Sequence, residues 1–328
     1  MTMAQVMILF YISSNNLKNQ YGLTLLEMLV VVFILSAIAL MTLSFTNNAD
    51  DQFRFEDTRT RLGKIRIAAV GEPERTINGG PAISGFVADI GRLPNTDNLQ
   101  ELIEQGGLPV WTLDTASGVW AGWRGPYLAS LIEQGGTRTY RDGWGNAGGA
   151  PKYGWNTFSA TDTNGDGLTD TLQVVSYGSD GAPAGAGYAA DYPPVTGNLA
   201  GRDDHQVNIT VVKVRFHNPA AGAVLLPLAN VTLLVRLHYP QNGTITSADS
   251  GTVTLLANSI GEGSSTLENF TFNKWVPWGV RALEIIDTAT NTIYAPNATL
   301  DKIKLVTIIP RTQLPFSTDT DPMEWWLE

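Results

Sequence analysis

The chain has 328 residues, with 21 Lys and Arg against 31 Asp and Glu, three His and no Cys. The absence of cysteine excludes disulfides, thiolate metal sites and cysteine nucleophiles. The formal net charge of −10 argues against nonspecific nucleic-acid binding, because displacing counterions from phosphates requires clustered basic side chains.

The first informative segment is an apolar run at residues 25–45, which contains a single charge, Glu27. A helix of about 20 residues spans the hydrocarbon core of a bilayer, so this run predicts a membrane-crossing helix. The residues that follow are charged, lack proline before Pro73 and keep a loose helical spacing of apolar side chains. We therefore predict one helix from about Leu23 to about Val70, roughly 70 Å long.

Glu27 decides between three interpretations of this run. An ordinary secretory signal carries its charge before the apolar core and ends in a small-x-small cleavage site, which Ala37-Ile38-Ala39 would supply. A plain membrane anchor gives Glu27 no role. A carboxylate inside a bilayer costs roughly a few kcal/mol, so its presence favours a functional group with a partner supplied from elsewhere.

The sequence GLTLLE at residues 22–27, followed by the apolar run, resembles the class III signal of type IV pilins and type II secretion pseudopilins. In that family a prepilin peptidase cuts after the glycine and methylates the new amino terminus. The resemblance implies cleavage between Gly22 and Leu23, so that Glu27 becomes the fifth mature residue. It also implies an assembly contact between the Glu27 carboxylate and the Leu23 amine of the next subunit, since buried ion pairs are best attested in setting register.

The region from about Gly71 to about Gln206 is rich in Gly, Pro, Trp and Tyr, and four of its segments are similar to segments of major pseudopilins. These blocks are FVADIGRLP at 86–94, WRGPYL at 123–128, DGWGN at 142–146 and SYGSDG at 176–181. The fourth block opens a calcium loop in that family. The resemblance implies calcium ligation by Asp180, with Asp191 and either Asp203 or Asp204 competing for the downstream position.

A second candidate calcium loop at residues 162–170 follows from residue spacing. Oxygen-bearing side chains at i, i+2, i+4 and i+8, with glycine at the sixth position, resemble the first half of an EF-hand loop. An Asp/Asn/Gly turn without metal is the alternative interpretation. The ligands predicted for this loop are Asp162, Asn164, Asp166, Leu168 and Asp170.

From about Val207 the sequence alternates between apolar and polar residues, most clearly from Val231 to Tyr239. Further strands are predicted near 212–216, 252–256, 280–286 and 302–309, with turn residues between them. Regular short strands separated by turns favour an antiparallel sandwich of about 100 residues.

The predicted fold is therefore α+β, with a long N-terminal helix packed on a small antiparallel β-sheet, as in pilins, and an antiparallel β-sandwich after it. The predicted division is a leader peptide at 1–22, the transmembrane and amphipathic helix at 23–70, a pseudopilin-like globular region with calcium loops at 71–206, and the sandwich with an acidic aromatic tail at 207–328.

The resemblance implies a structural subunit of a type II secretion pseudopilus or a type IV pilus-like filament. Such a subunit is anchored in the bacterial inner membrane through residues 25–45 and has its globular part in the periplasm. It is then assembled into a filament in the periplasm or at the cell surface. Its implied partners are other pilins or pseudopilins, prepilin peptidase, an inner-membrane platform protein and an assembly ATPase.

The alternative function is a minor pilin that displays the sandwich for adhesion or cargo recognition. Glycine-rich phosphate loops, G-x-S-x-G and H-E-x-x-H motifs are absent from the sequence. We therefore expect no enzymatic activity, and calcium is the cofactor that the sequence predicts.

Overall fold

The computed structural model describes residues 24–94, 99–132, 138–146, 155, 157–165, 167–194, 197–219, 224–294 and 302–327. The predicted leader at 1–22, the processing residues Gly22 and Leu23, and the predicted ligand Asp166 lie outside the described residues. The chain divides into two compact units, Met1–Phe53 and Arg54–Glu328. The predicted boundaries at 71 and 207 stay predictions.

The predicted long helix is present as α1, Leu25–Val70, which has 46 residues. The residue after the helix is Gly71, whose φ of +85° is readily accessible to glycine alone. The Gly71 N–H donates to the carbonyl of Ile67 at 2.8 Å. A Cβ at position 71 would lie 2.1 Å from the Ser84 carbonyl oxygen, so this end of the helix requires glycine for space as well as for conformation.

Short elements joined by turns follow α1 in the second unit. The longest strand pair described in this region is the antiparallel hairpin of Thr157–Thr161 and Thr171–Val175, where Thr157 lies opposite Val175. The elements are β1 Thr76–Ile77, β2 Gly80–Pro81, α2 Phe86–Ile90, α3 Gln100–Ile103, β3 Thr112–Leu113, β4 Trp120–Ala121, β5 Leu131–Ile132, β6 Arg138–Thr139, β7 Thr157–Thr161 and β8 Thr171–Val175.

Three 3₁₀ turns lead from this region into the strands of the sandwich. The turns are Gly178–Asp180, Gly187–Ala189 and Arg202–Asp204. The strands are β9 Gln206–His217, β10 Val231–Gln241, β11 Thr244–Asp249, β12 Val253–Leu255, β13 Ser265–Pro277, β14 Gly279–Asp287, β15 Thr292–Ile293, β16 Lys304–Ile308 and β17 Met323–Trp326.

These strands form two sheets. One has the order β11-β10-β14-β15, with β12 also paired to β10 and β16 to β14, and the other has the order β13-β9-β17. The last strand, β17, runs parallel to β9, so the prediction of a purely antiparallel sandwich is wrong for this strand. A two-residue hairpin cannot join parallel strands, and here the strands of the other sheet lie between His217, at the end of β9, and Met323, at the start of β17.

The described residues of the second unit form two hydrophobic cores. The sandwich core lies between its two sheets, and the alternation predicted from Val231 to Tyr239 is confirmed, since Leu233, Val235, Leu237 and Tyr239 are buried. The other core joins the end of α1 to the short elements after it. Among its buried residues are Leu62, Ile65, Val70, Phe86, Ile90, Leu102, Trp155, Leu172, Val174 and Trp278.

Candidate functional site

Glu27 lies in the first turn of α1, where it is bonded to Thr24. One Glu27 carboxylate oxygen accepts from the Thr24 backbone N–H at 2.9 Å and from the Thr24 hydroxyl at 3.1 Å. The Glu27 N–H in turn donates to the Thr24 hydroxyl oxygen at 3.2 Å. This reciprocal arrangement is a capping box, which satisfies amide groups that the first helical turn leaves open. The role of Thr24 was not predicted, although the T-x-x-E spacing is present in the sequence.

The apolar side chains of the first unit are exposed on every side of the helix. Eight consecutive residues from Met28 to Leu35 are each between 45% and 73% exposed, and Glu27 is exposed beside them. Eight residues cover more than two helical turns, so every face of this stretch carries apolar surface. Among the described residues, no helix combines the length and the apolar character needed to cross a membrane. The crossing predicted for residues 25–45 stays a prediction.

The first two sequence blocks meet at Asp89, on α2. One Asp89 oxygen accepts from the Arg124 guanidinium at 3.0 Å and from the Tyr127 hydroxyl at 2.9 Å. Burial raises the pKa of Asp89 to about 6, and the charge of Arg124 opposes that rise. The other carboxylate oxygen is buried without a hydrogen-bond partner. Two segments that are 35 residues apart in the chain are thereby joined through one carboxylate.

The first block also contacts the sandwich. A Cβ at Gly91 would lie 1.9 Å from the carbonyl oxygen of Pro240, on β10, so only glycine permits this approach. The neighbouring Arg92 forms a bidentate ion pair with Glu101 at 2.8 and 2.9 Å, and its Nε donates to Asn242 at 2.7 Å. This geometry explains why glycine and arginine stand next to each other in the block.

The third and fourth blocks meet at Asp142. One Asp142 oxygen accepts from the Ser176 hydroxyl at 2.5 Å and from the Asn146 side-chain amide at 2.7 Å. The same amide group also donates to the Gly178 carbonyl at 3.0 Å. The four blocks therefore form two pairs in space, and the third and fourth blocks frame the beginning of the predicted Asp180 calcium loop.

The third block also packs on α1. A Cβ at Gly143 would lie 2.1 Å from the Arg54 carbonyl oxygen, and the Gly143 N–H donates to the Thr58 hydroxyl at 2.9 Å. The Asp142 turn therefore approaches the backbone of α1 closely, at a position where a larger residue has no space.

In the predicted Asp180 loop, the turn at Gly178 touches the segment that leads to Asp191. A Cβ at Gly178 would lie 2.5 Å from the Tyr188 carbonyl oxygen. Asp180 accepts from the Ala182 N–H at 3.0 Å, and Asp191 accepts from the Ala184 N–H at 3.1 Å. The second oxygen of Asp191 is buried without a hydrogen-bond partner, so this residue fits the role of a calcium ligand.

Asp204 does not fit the Asp180 site, because two arginines hold its carboxylate. Arg66 lies 3.2 Å and Arg311 lies 2.5 Å from one of its oxygens, and the other oxygen accepts from the Gly201 N–H at 3.0 Å. Asp203, the competing candidate, is exposed. Both residues line a cleft that also contains Asp170, from the other predicted calcium loop.

The loop at 162–170 is organised by its first and last carboxylates. Asp162 accepts from the backbone N–H groups of Gly165 and Gly167 at 2.7 and 2.9 Å, and from that of Asn164 at 3.2 Å. Asp170 accepts from the N–H of Thr163 at 2.9 Å and from its hydroxyl. Leu168 is buried in this loop. These contacts fit the metal-free turn as well as a calcium loop. Within the described ranges, no group of three or more acidic or histidine side chains could hold a metal ion.

The N-terminal segment of the chain matches a known family model. A family model described as "Prokaryotic N-terminal methylation motif" matches residues 17–43, which include Gly22, Leu23 and Glu27. The chain is therefore type IV pilin-like at its N-terminus, with a signal of the kind that prepilin peptidase processes. No curated protein and no solved structure matches the chain.

Proposed function

We propose that the chain is a structural subunit of a type II secretion pseudopilus or a type IV pilus-like filament. The observation that carries the proposal is the methylation motif at 17–43, a span that includes Gly22 and the beginning of the 46-residue helix. The exposed apolar surface from Met28 to Leu35 supports it, because such a surface requires cover. The bilayer covers it before assembly, and the helices of neighbouring subunits cover it afterwards.

In this proposal the precursor is held in the bacterial inner membrane through residues 25–45, with the second unit in the periplasm. Prepilin peptidase cleaves after Gly22 and methylates Leu23. A platform protein and an assembly ATPase then drive the mature subunit into a filament with other pilins or pseudopilins. The processing step is tested by mass spectrometry of the mature N-terminus, where methylated Leu23 is expected. A terminus at Leu40 would instead identify an ordinary signal peptide.

The role of Glu27 in assembly is tested with a variant that keeps the helix cap. Glu27→Gln removes the charge, yet glutamine still serves in a capping box. We expect this variant to be processed and to fail in filament assembly, because it cannot pair ionically with the Leu23 amine of the next subunit. Thr24→Ala is the matched control, since it removes the cap and keeps the charge. Normal filaments from Glu27→Gln would refute the ion pair.

A second candidate function is display of the sandwich by a minor pilin, for adhesion or cargo recognition. The observation that favours it is that the sandwich has a hydrophobic core of its own, made of residues between Ile209 and Leu327. The ratio of this chain to other subunits in purified filaments separates the two functions. A main structural subunit is expected to make up most of the filament, whereas a minor pilin that displays the sandwich is expected to make up a small fraction of it.

Calcium is the cofactor of the proposal, held in the Asp180–Asp191 loop and in the loop at 162–170. Bound there, it would neutralise the carboxylates of each loop and cross-link chain segments that no disulfide connects. Binding to the native state alone stabilises a protein by about 2.7 kcal/mol at a hundred times the dissociation constant. Melting curves with calcium and with EGTA test this, and identical curves would dismiss both loops as metal sites.

A further inference from the structure

One end of the sandwich carries two loops whose composition is unusually apolar. The loop between β9 and β10 has the sequence PAAGAVLLPLAN at residues 219–230, and no charged residue occurs from 218 to 235. The segment from 250 to 261, which contains β12 and most of the loop after it, is also uncharged. Loops at a protein surface are ordinarily polar, so these two loops require a physical explanation.

Several large apolar side chains of these loops are exposed to solvent. Leu228 is 76% exposed and Leu256 is 60% exposed, whereas Val224 and Leu225 are 40% and 44% exposed. We call these four residues the Leu228 tip. Exposed apolar side chains that are clustered in this way, rather than scattered singly, mark a surface that is covered in function.

Hydrogen bonds hold the two loops together. Leu226 and Ile260 form an isolated β-bridge, in which each N–H donates to the carbonyl of the other at 3.1 and 2.9 Å. The buried Asn218 side-chain amide donates to the Val224 carbonyl at 2.9 Å and to the Ile260 carbonyl at 2.8 Å. Leu226 is 8% exposed in the sandwich core, while the adjacent Leu225 stays exposed. The exposure of the Leu228 tip is therefore built into the fold.

The Leu228 tip lies at one end of β10, and the short elements contact the other end. The loop leads directly into Val231, the first residue of β10, whereas Pro240 near the end of this strand approaches Gly91. At about 3.3 Å per residue, roughly 30 Å of strand separates the two ends. The tip therefore projects away from the α2 block.

A tryptophan borders the tip, and the nearest charges along the chain are paired. Trp326 is 43% exposed and stacks on His217, the residue before Asn218, with ring centres 4.4 Å apart. Tryptophan favours the headgroup level of bilayers, because its ring is apolar and its N–H is polar. Arg236 and Asp249, which bound the two uncharged segments, form an ion pair with each other at 2.7 Å.

The size of this surface distinguishes between possible partners. A stable protein–protein interface takes about 20–30 residues from each side. The tip and Trp326 together supply five exposed apolar residues, which is too few for a second copy of the chain or another stable protein partner. A bilayer accepts an apolar projection of this size at the boundary between headgroups and acyl chains, where no complementary shape is needed. Since the two loops are uncharged, zwitterionic headgroups match them better than anionic ones.

We propose that the Leu228 tip inserts reversibly into the surface of a zwitterionic lipid bilayer. The four apolar side chains enter the acyl boundary, and Trp326 stays at the level of the headgroups. Reversible binding is expected, because a few side chains bury far less apolar area than a membrane-crossing helix does. The inference goes beyond the proposed filament function and does not depend on it.

The absence of cysteine from the chain allows one fluorescent reporter to be placed at the tip. Leu228→Cys of the full chain is labelled with a polarity-sensitive fluorophore and held in phosphatidylcholine nanodiscs, which cover the apolar surface of α1. Phosphatidylcholine vesicles are then added. Nitroxide lipids are placed either in the vesicles or in the nanodiscs, so the two arms distinguish a second bilayer from the bilayer that holds α1.

We expect a blue shift of the label at position 228 and quenching in one of the two arms. Leu305→Cys is the matched control, because Leu305 is also an exposed leucine, at 57%, but lies on β16. Its label should show neither effect. Leu256→Ala in the background labelled at 228 should weaken insertion about tenfold, since it removes apolar carbons from the acyl boundary. Salt at 1 M should leave insertion unchanged, because no charge attraction contributes to it.

Each other outcome overturns the proposal. Absence of the blue shift and of quenching in both arms means that the tip stays in water. A blue shift that grows with protein concentration, without quenching by nitroxide lipids, means that another copy of the chain covers the tip. Equal effects at positions 228 and 305 indicate nonspecific adsorption, and loss of insertion in salt indicates attraction by charged residues elsewhere. Processing at Leu23 and filament assembly are measured separately, so these results leave the proposed function unaffected.

Discussion

Trp278 connects the two cores of the second unit. It lies in the turn between β13 and β14, yet its side chain is 0% exposed in the core that α1 shares with the short elements. Its Nε1 donates to the carbonyl of Val70 at 2.8 Å. Val70 is the last residue of α1, where helical carbonyls have no partner within the helix. The tryptophan of the sandwich thus caps the helix while it fills the neighbouring core.

Two substitutions separate these roles. Trp278→Ala removes the packed ring, and large-to-small changes of this kind cost about 3–5 kcal/mol. Trp278→Phe keeps much of the apolar contact but leaves the Val70 carbonyl without its donor. Val70 is itself buried, so water cannot easily replace the indole, and we expect a loss of about 1–3 kcal/mol. The difference between the two variants measures the packing contribution.

Urea unfolding of the full chain in detergent, followed by circular dichroism, measures both losses. Trp326→Phe is the matched control, because Trp326 is 43% exposed and stacks on His217 at the edge of the β13-β9-β17 sheet. Surface changes of this kind usually stay within about 0.5 kcal/mol. If Trp278→Phe were as stable as the control, the hydrogen bond to Val70 would contribute nothing and the capping argument would be wrong.

Three further predictions concern the sequence blocks. Because burial raises the folded-state pKa of Asp89 from 3.8 to about 6, the folded chain binds a proton more tightly, and stability should fall as the pH rises from about 4 through 6. Compared with Asp89→Asn, the free energy of unfolding of the unmodified chain should fall by at most about 3 kcal/mol over this pH range. If the urea midpoints of the two proteins changed in parallel with pH, the prediction would be contradicted. Gly143→Ala should cost at least about 2 kcal/mol, since its Cβ would clash with the Arg54 carbonyl; an unchanged melting temperature would refute the close approach. Arg92→Met should cost about 1.5–3 kcal/mol because it removes the two charged hydrogen bonds to Glu101, and Glu101→Gln made alongside it should recover part of that loss.

Local sequence patterns predicted the elements whose periodicity is regular. The strict alternation of β10 was sufficient to place its buried face. The longer strand β13 was missed, because a register shift between Thr271 and Lys274 interrupts its period of two. The parallel pairing of β17 with β9 could not be predicted either, since it depends on the path of the chain between the two sheets rather than on any residue of β17.

In the candidate site, too, contacts between residues close in sequence could be predicted, whereas contacts between distant segments could not. The T-x-x-E spacing that pairs Thr24 with Glu27 could be recognised from four residues. The spacing of acidic residues, in contrast, does not reveal which of their oxygens the fold already uses. Asp162 is bonded to backbone amides of its own loop, whereas Asp204 is held by arginines from α1 and from the segment after β16. The ion pairs of Asp204 join distant segments of the chain, so they can be identified only from the folded structure.

The side chains of α1 have different surroundings in the first unit and in the second. In the second unit, Leu62 and Ile65 are buried on one side of the helix, as expected for a helix with one apolar face. In the first unit, the residues from Met28 to Leu35 expose apolar side chains on all sides. A single partner helix covers only a stripe of such a surface, because helix pairs pack through one ridge-and-groove face. Cover on all sides requires lipid or several neighbouring helices at once, and the membrane-held precursor and the filament core that we propose would provide them in turn.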